Sequence, residues 1–548
     1  MRKMKNNLQI SIFDYNGKIV DNICYNTDVI TLSNVVINKL SHYNLEEYIR
    51  DIETIGLEKT WDYICQFVID NSDTLSTFLD VKNFGELYEI GLATQDKILK
   101  KKSGQYYTPD DIAKVMSEWL LACKGTAVCD VGCGTGKLIL TYLDLLGYKK
   151  ARALISSGNL YLYDFDNVAL KICRTTIAVK YGLDIASSIN DTFCDFLDSD
   201  IKLPEDSKVI SNPPYAKIEK MQTYWKHTDV LMDSKELYSA FMEKIFDQAR
   251  SAVVITPFSF ISGDKFYSLR KVMSKRGYGF IVSFDNVPGN IFCGRKHGIF
   301  NTNTANSVRA AITVMHQSDK KKGYRVSRLI RFKNEERNAL LNTEILENSL
   351  PESYQIVDED NKKFVKVGND LSEIFRRWKE DSKYTVKDII SEKQTEYMID
   401  IPNTCRYFTT ASGHKLKRTG SITIYIEEKR IFNFVYCFIN SSFAYWWWRI
   451  FDGGITYPVN LLNVLPLPLN LLSEGDDAFF EEKANELLDL EKDCIITKAN
   501  AGAKQENIKF PKSYRDSINE RILQILGFNL KGDVFDGVHS NHYFENGD

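Results

Sequence analysis

Between residues 104 and 317 short apolar runs alternate with amphipathic stretches, and this alternation restricts the chain more than any other feature. TAVCDV, NLYLYDF, SKVIS, SAVVITPF, GFIVSFDNV and RAAITVMHQ have the length and composition of strands. GKLILTYLDLLGY, NVALKICRTTIAVKYG, ELYSAFMEKIFDQAR and FYSLRKVMSKRG carry apolar residues at helical spacing between them. Such alternation predicts a parallel, doubly wound α/β sheet with its ligands at the carboxyl ends of the strands.

The flanks read differently. Residues 1–100 contain helical-looking segments, NLEEYIRDIE and EKTWDYICQFVID, and are expected to be mostly helical. KILKKKSGQ then leads as a solvated junction into GQYYTP, so the α/β domain is set at 101–325. After Asp319 the chain turns basic (KKKGYRVSRLIRFKNEER), then irregular and rich in Asn, Tyr and Trp, which makes 326–548 a separate domain. At 548 residues, two large domains and a smaller region are the natural division.

Composition excludes several classes. A net charge of -3 rules out a polycation, so any nucleic-acid surface must be local. The 11 cysteines form no CxxC pair and the 7 histidines are dispersed, so no metal site is expected and the thiols read as reduced apolar residues. No run approaches the roughly 18 apolar residues of a membrane helix, and MRKMKNNLQISIFDYNG lacks a signal-peptide core. A cytoplasmic protein without a membrane partner is expected.

Two turns carry chemistry. In VCDVGCGTGKL, Gly132, Gly134 and Gly136 follow a strand and open a helix, where backbone N–H groups can approach a ligand. The spacing is neither GxGxxG nor a phosphate loop, because Lys137 is followed by Leu138. Asp130 before the turn repels a pyrophosphate but suits a positively charged amino group. Asp164, at the end of the next strand in YDFD, can accept both hydroxyls of a ribose. A nucleoside with a zwitterionic tail, S-adenosylmethionine, satisfies both better than a dinucleotide does; a purely structural βα turn is the competing reading. In CDFL, Asp195 is placed to accept from an adenine amino group, with Phe196 packing on the ring.

SNPPYA follows the strand SKVIS, at the same sheet edge. Its prolines stiffen the loop and remove two donors. The Asn212 side-chain oxygen and the Pro213 carbonyl can then accept from an exocyclic NH2, Pro214 adds rigidity, and Tyr215 offers a flat face to a heterocycle. Two acceptors on a conjugated amine turn its lone pair toward an electrophile, so direct transfer needs positioning rather than a strong base.

In this order the motifs resemble the N6-adenine DNA methyltransferases of gamma arrangement, as in TaqI-type enzymes and type I modification subunits. The resemblance covers roughly residues 85–320. It implies a Rossmann-like S-adenosylmethionine-dependent methyltransferase domain, with a helical N-terminal extension and a C-terminal mixed α+β target-recognition domain. By the same resemblance Tyr107, Thr108 and Pro109 line the methionine end, and Asp164 with Phe165 lies at the ribose. Phe292, in NVPGNIFCGRK, stacks on a flipped adenine opposite Tyr215. No Pro-Cys dipeptide occurs, which sets carbon-5 cytosine chemistry aside.

Residues 405–449 hold seven basic residues against two acids, among them Arg406, Lys415, Lys417 and Arg418, read as contacts to double-stranded DNA. Trp446, Trp447 and Trp448 read as core. A cognate restriction endonuclease or a specificity subunit is an open partner. So are the alternatives of an RNA or protein-glutamine methyltransferase, a fused restriction enzyme, and a catalytically silent DNA-binding protein.

Overall fold

The computed structural model describes residues 8–13, 19–25, 85, 108–219, 221–292, 308–405, 407–454, 456–500 and 503–544. The chain divides into two compact units. The first runs to Arg325 and then takes back Arg337–Asn348 and Ser353–Lys362; the second holds Val326–Glu336, Ser349–Glu352 and Lys363–Asp548. The chain first leaves the first unit after Arg325, and it returns twice. Specific contacts hold the returns: Trp119 Nε1 donates to Glu347 Oε1 at 2.8 Å, and Tyr324 and Gln355 exchange backbone hydrogen bonds at 2.9 Å.

Near the N-terminus Leu8–Phe13 (β1) and Ile19–Tyr25 (β2) pair antiparallel, Leu8 opposite Tyr25. Alternating β-branched residues in LQISIF and IVDNICY favour strand there. The segments expected to be helical, at 44–53 and 58–70, lie outside the described residues.

The first unit is built from Asp110–Ala122 (α1), Ala127–Val131 (β3), Lys137–Leu146 (α2), Tyr148–Ser156 (α3), Leu160–Asp164 (β4), Asn167–Tyr181 (α4), Asn190–Phe193 (β5) and Ser207–Ser211 (β6). Asp229–Ser234 (α5), Leu237–Gln248 (α6), Ser251–Pro257 (β7), Tyr267–Arg276 (α7), Gly277–Phe284 (β8) and Ala310–Gln317 (β9) follow, and Gly323–Ile330 (β10) begins in this unit and ends in the second. The eight strands β3 to β10 form one sheet in the order β10-β8-β9-β7-β6-β3-β4-β5. Strands β5, β4, β3, β6 and β7 are parallel neighbours, whereas β9 runs antiparallel to both β7 and β8. The sheet is therefore mixed where a fully parallel one was expected. A strand covered on both faces is a continuous apolar run whichever way it points, so composition carries no direction. Every residue of β3 and β6 is buried, which requires cover on both faces.

The second unit is mixed α+β. Tyr397–Pro402 (β11) and Ser421–Ile426 (β12) pair antiparallel, as do Ile495–Asn500 (β13) and Ala503–Ile508 (β14). Its helices include Ser372–Asp381 (α8), Lys429–Ile439 (α9), Ser442–Phe451 (α10), Glu474–Cys494 (α11) and Lys512–Ile525 (α12). The core is aromatic. Trp378 stacks on Trp446 at 5.8 Å, meets Phe443 edge-on at 5.0 Å and donates from Nε1 to the Pro466 carbonyl at 3.2 Å. Trp446, Trp447 and Trp448 are all buried, and Trp447 and Trp448 donate to the carbonyls of Leu461 and Thr456. Indoles whose N–H groups are satisfied inside a core are structural.

Trp378→Ala is expected to destabilise this unit by about 3–5 kcal/mol, measured by denaturant unfolding. A change within about 0.5 kcal/mol would show that the indole cluster is not its core.

Candidate active site

Strands β3 and β6 are hydrogen-bonded neighbours from which the chain departs in opposite directions. After β3 it builds β4 and β5 on one side, and after β6 it builds β7 on the other. A sheet has its ligand crevice where the strand order reverses in this way. Val131 and Ser211, the last residues of the two strands, are register partners, and Ser211 Oγ donates to the Val131 carbonyl at 2.6 Å. The next residues are Gly132 on one strand and Asn212 on the other, so both turns start from one paired position.

The glycine turn depends on left-handed backbone. Gly132, Gly134 and Gly136 have φ of 71°, 52° and 93°. A Cβ on Gly136 would lie 2.6 Å from Cys173 Sγ, whereas one on Gly134 meets nothing within 4 Å. Gly136 is thus demanded by both conformation and packing, and Gly134 by conformation alone. The turn is tied to β4 through Gly132 N and Cys133 N, which both donate to the Tyr163 carbonyl.

Asp130 is fully buried beneath this turn, where Oδ2 accepts from Ile139 N at 3.2 Å in the first turn of α2 and Oδ1 has no partner. The direct contact with a ligand amino group expected of it is not possible in this arrangement, because no surface of that oxygen is open. Burial above all, then the Asp164 charge, holds its carboxyl well above the usual range, against the Ile139 N–H. An unpartnered buried oxygen beneath the turn favours a positive charge close above it. Asp164 caps the same turn: Oδ2 accepts from Gly134 N and Oδ1 from Asp166 N, each at 2.7 Å. Burial pushes its carboxyl up to about 6, against the Asp166 and Gly134 N–H groups. Burial also keeps the Cys129 and Cys133 thiols raised, so neither is a nucleophile at neutral pH.

On the other side Asn212 Nδ2 donates to Thr108 Oγ1 at 3.0 Å. This bond fixes the orientation of the amide, whose oxygen is buried. Pro213 and Pro214 stiffen the stretch before Tyr215, whose hydroxyl donates to the Ile255 carbonyl of β7 at 3.0 Å. Phe292 lies beside it, with ring centroids 5.9 Å apart at 68°, and Tyr238 meets Tyr215 from another direction at 6.3 Å. Phe292 and Tyr215 are therefore brought together, but edge to face and with Phe292 buried, so the parallel gap needed for a base between them is closed.

Other expected residues are placed differently. Tyr107 and Arg406 lie outside the described residues, while Thr108 and Pro109 enter α1, with Pro109 at its N-cap. Asp195 accepts from Trp225 Nε1 at 2.7 Å, Tyr224 hydroxyl at 3.2 Å and Leu197 N at 3.0 Å, so protein donors already engage the carboxylate expected to receive adenine. Phe196 is buried between Tyr163 and Phe241, under the Lys244 ammonium, and is a core ring rather than a ligand face. Phe165 is 73 % exposed and pairs with Phe193, 58 % exposed, at 6.2 Å. Two exposed rings at adjacent strand ends form a surface for a planar group. Phe193 escaped the sequence reading because NDTF is too polar and short to register as a strand.

Four of the basic residues of the second unit, Lys415, Arg418, Lys429 and Arg430, are paired with acids in the fold. The Arg418 side chain is 4 % exposed and grips Asp400 through Nε at 3.1 Å and Nη2 at 2.8 Å, so its guanidinium is engaged within the protein. Lys415 reaches the same carboxylate at 3.0 Å. Burial raises the Asp400 carboxyl, but Ser421, Arg418 and Lys415 outweigh it and hold it below the usual range. Lys429 pairs with Glu481, Arg430 with Asp477, and Arg449 donates to the Leu329 carbonyl. Lys417 is exposed, its backbone bonded to Glu506 through N and O. Among the described residues no helix is long and apolar enough to cross a membrane.

Comparison with known proteins gives one family. A model described as N-6 DNA Methylase matches residues 80–403, more than half of the chain. The type II methyltransferase M.VspI of Vibrio sp. (strain 343) is 32% identical over 138 residues, 25% of this chain and 30% of that protein. The type I restriction enzyme MpnII methylase subunit of Mycoplasma pneumoniae is 27% identical over 106 residues, 19% of each. Each match thus spans less than a third of the curated relative. The cryoEM structure of a DrdV–DNA complex has a TM-score of 0.44 at 12% identity, over 83% of this chain and 66% of that one.

Gly136→Ala is expected to destabilise the first unit by about 1–3 kcal/mol, read as a lowered thermal midpoint, whereas Gly134→Ala carries only the conformational part. Equal effects would show that the Cys173 contact is not limiting.

Proposed function

The chain belongs to the N-6 DNA methylase family, and from that premise we propose a site-specific DNA methyltransferase. It transfers the methyl group of S-adenosylmethionine to N6 of an adenine flipped out of duplex DNA, within a restriction-modification system. The observation that carries the reading is the shared origin of the two turns: the glycine turn and Asn212-Pro213-Pro214-Tyr215 leave register-paired residues at the point where strand order reverses. That origin sets a cofactor loop and an amine-accepting loop side by side.

The cofactor supplies, when bound, a sulfonium methyl as electrophile. Its positive end suits the region above the unpartnered Asp130 oxygen, its ribose the Asp164 carboxylate, and its adenine the exposed Phe165–Phe193 pair. Asn212, fixed by Thr108, and the Pro213 carbonyl accept the two amine protons and turn the nitrogen lone pair toward the methyl group. As the N–C bond forms the methyl–sulfur bond would break, its electron pair staying on sulfur as a neutral thioether; the nitrogen becomes cationic and its proton, now acidic, passes to water, so no strong base is required. Tyr215, anchored to the Ile255 carbonyl, provides the stacking face, and Phe292 moves from its edge-on contact to admit the base.

For the DNA grip the second unit offers the loop at 411–419. Other elements hold its backbone: Ala411 N donates to Asn440, Gly413 N to Glu491, Leu416 N to Asp400 and Thr419 N to Gln505. A loop so restrained presents His414 and Lys417, both exposed, with little ordering left to do on binding. We assign phosphate contact to Lys417 in place of the wider basic run. A cognate endonuclease or specificity subunit is the partner this reading implies.

Labelled methyl from S-adenosylmethionine is expected on adenine of duplex DNA, and Asn212→Ala is expected to lower kcat at least about hundredfold with cofactor still bound. Label found only on RNA or protein would refute the reading.

A pH dependence follows from Asp164. Its folded pKa of about 6 lies above the roughly 3.9 of an unfolded carboxyl. Its contribution to stability is therefore complete below the unfolded value and is lost as pH rises through about 6. The ionised form, needed to accept ribose hydroxyls, is the less stable one in the free protein. Cofactor affinity, followed by calorimetry, is expected to fall as pH drops below about 6, and to be weak and pH-independent in Asp164→Asn. An unchanged pH profile in that variant would remove Asp164 from the ribose.

A further inference from the structure

The turn Arg337–Leu340 belongs to one of the two segments with which the chain returns to the first unit. The Arg337 side chain is 2 % exposed, and its guanidinium spends four N–H directions on three partners. Nε and Nη2 grip the two oxygens of Asp111 at 2.5 and 2.9 Å. Nη1 donates to the Asn290 carbonyl at 2.8 Å and Nη2 to the Ile291 carbonyl at 2.7 Å.

Each partner leads to the active site by a short path. Asp111 is in the first turn of α1, three residues after Thr108, and Thr108 Oγ1 accepts from the Asn212 amide. Asn290 and Ile291 immediately precede Phe292, whose N donates to Asn290 Oδ1 at 2.8 Å and whose ring meets Tyr215. One planar cation therefore spans from the residue that orients the amine acceptor to the backbone that carries the aromatic ring. Asn212 and Tyr215 share the loop that closes the circuit.

We propose that Arg337 is a positioning residue for methyl transfer, setting the separation between the Asn212 amide and the Phe292 ring without touching the base. The proposal rests on the roles given above to Asn212 and Phe292. Arginine is required because a fork can hold a carboxylate with two donors while its outer N–H groups reach two carbonyls; a lysine ammonium has neither the plane nor the reach. Since Arg337 acts through Asp111 and two carbonyls, its loss is felt in catalysis and base capture rather than in cofactor binding.

The test uses the full chain, with Arg337→Lys and Asp111→Asn made singly and together. The readouts are thermal midpoint, cofactor Kd, kcat, KM for duplex DNA, and fluorescence of 2-aminopurine placed at the target adenine. Each single variant is expected to lose at least about tenfold in kcat and much of the 2-aminopurine enhancement, with cofactor Kd within about twofold. The double variant is expected to be no worse than the weaker single, since both break one bridge. Asp111→Asn carries the test if Arg337→Lys does not fold. A folded variant with a lower midpoint but wild-type kcat and 2-aminopurine signal would overturn the proposal, because Arg337 would then only stabilise the fold. Additive losses would overturn it too. If the wild-type protein methylates no DNA, the functional reading itself fails, a result separate from any of these.

Discussion

The pairing of β3 with β6 is the contact on which the site depends. It joins two strands far apart in sequence, and only while Val131 and Ser211 are register partners do the glycine turn and the Asn212 loop emerge side by side. A slip of one residue would turn Asn212 to the opposite face of the sheet from Gly132 and part the two loops. The Ser211 hydroxyl bonded to the Val131 carbonyl fastens this register at its functional end. In the plane of the sheet β4 and β7 cover the outer edges of this pair.

Much of that arrangement was legible in the sequence, for identifiable reasons. Strands β3, β4, β6, β7, β8 and β9 announce themselves as apolar runs, and left-handed backbone is legible wherever glycine recurs before a helix. What was missed lacks local signal. β10 contains Arg325 and Arg328 and so read as the start of a basic tail, and β5 is four polar or aromatic residues. Partner identity is the deeper limit. Arg418 looked available because its partner Asp400 lies in another strand, and Lys429 and Arg430 are answered by Glu481 and Asp477 from a helix some 50 residues on. A charge count along a window cannot register neutralisation across a fold.

The two buried carboxylates of the first unit show how the site holds tension. Asp130 is taken out of water with one oxygen unsatisfied, and Asp164 has two backbone donors yet still resists ionisation. Neither is compensated by a basic side chain in any observed contact. Replacing this pair by neutral residues would relieve the fold, at the expense of the negative potential under the turn. Asp400 in the second unit is the contrast, since Arg418 and Lys415 neutralise it fully and it serves only to lock a loop.

The twofold return of the chain to the first unit after Arg325 bears on where the chain can be divided. A junction at that residue would part Arg337 and the stretch that pairs with Tyr324 from the first unit, leaving that unit without its own bridge. Only a crossover beyond Lys362 transfers a self-contained cassette. Upstream of that point the two units share interleaved stretches of chain, and downstream of it every residue belongs to the second.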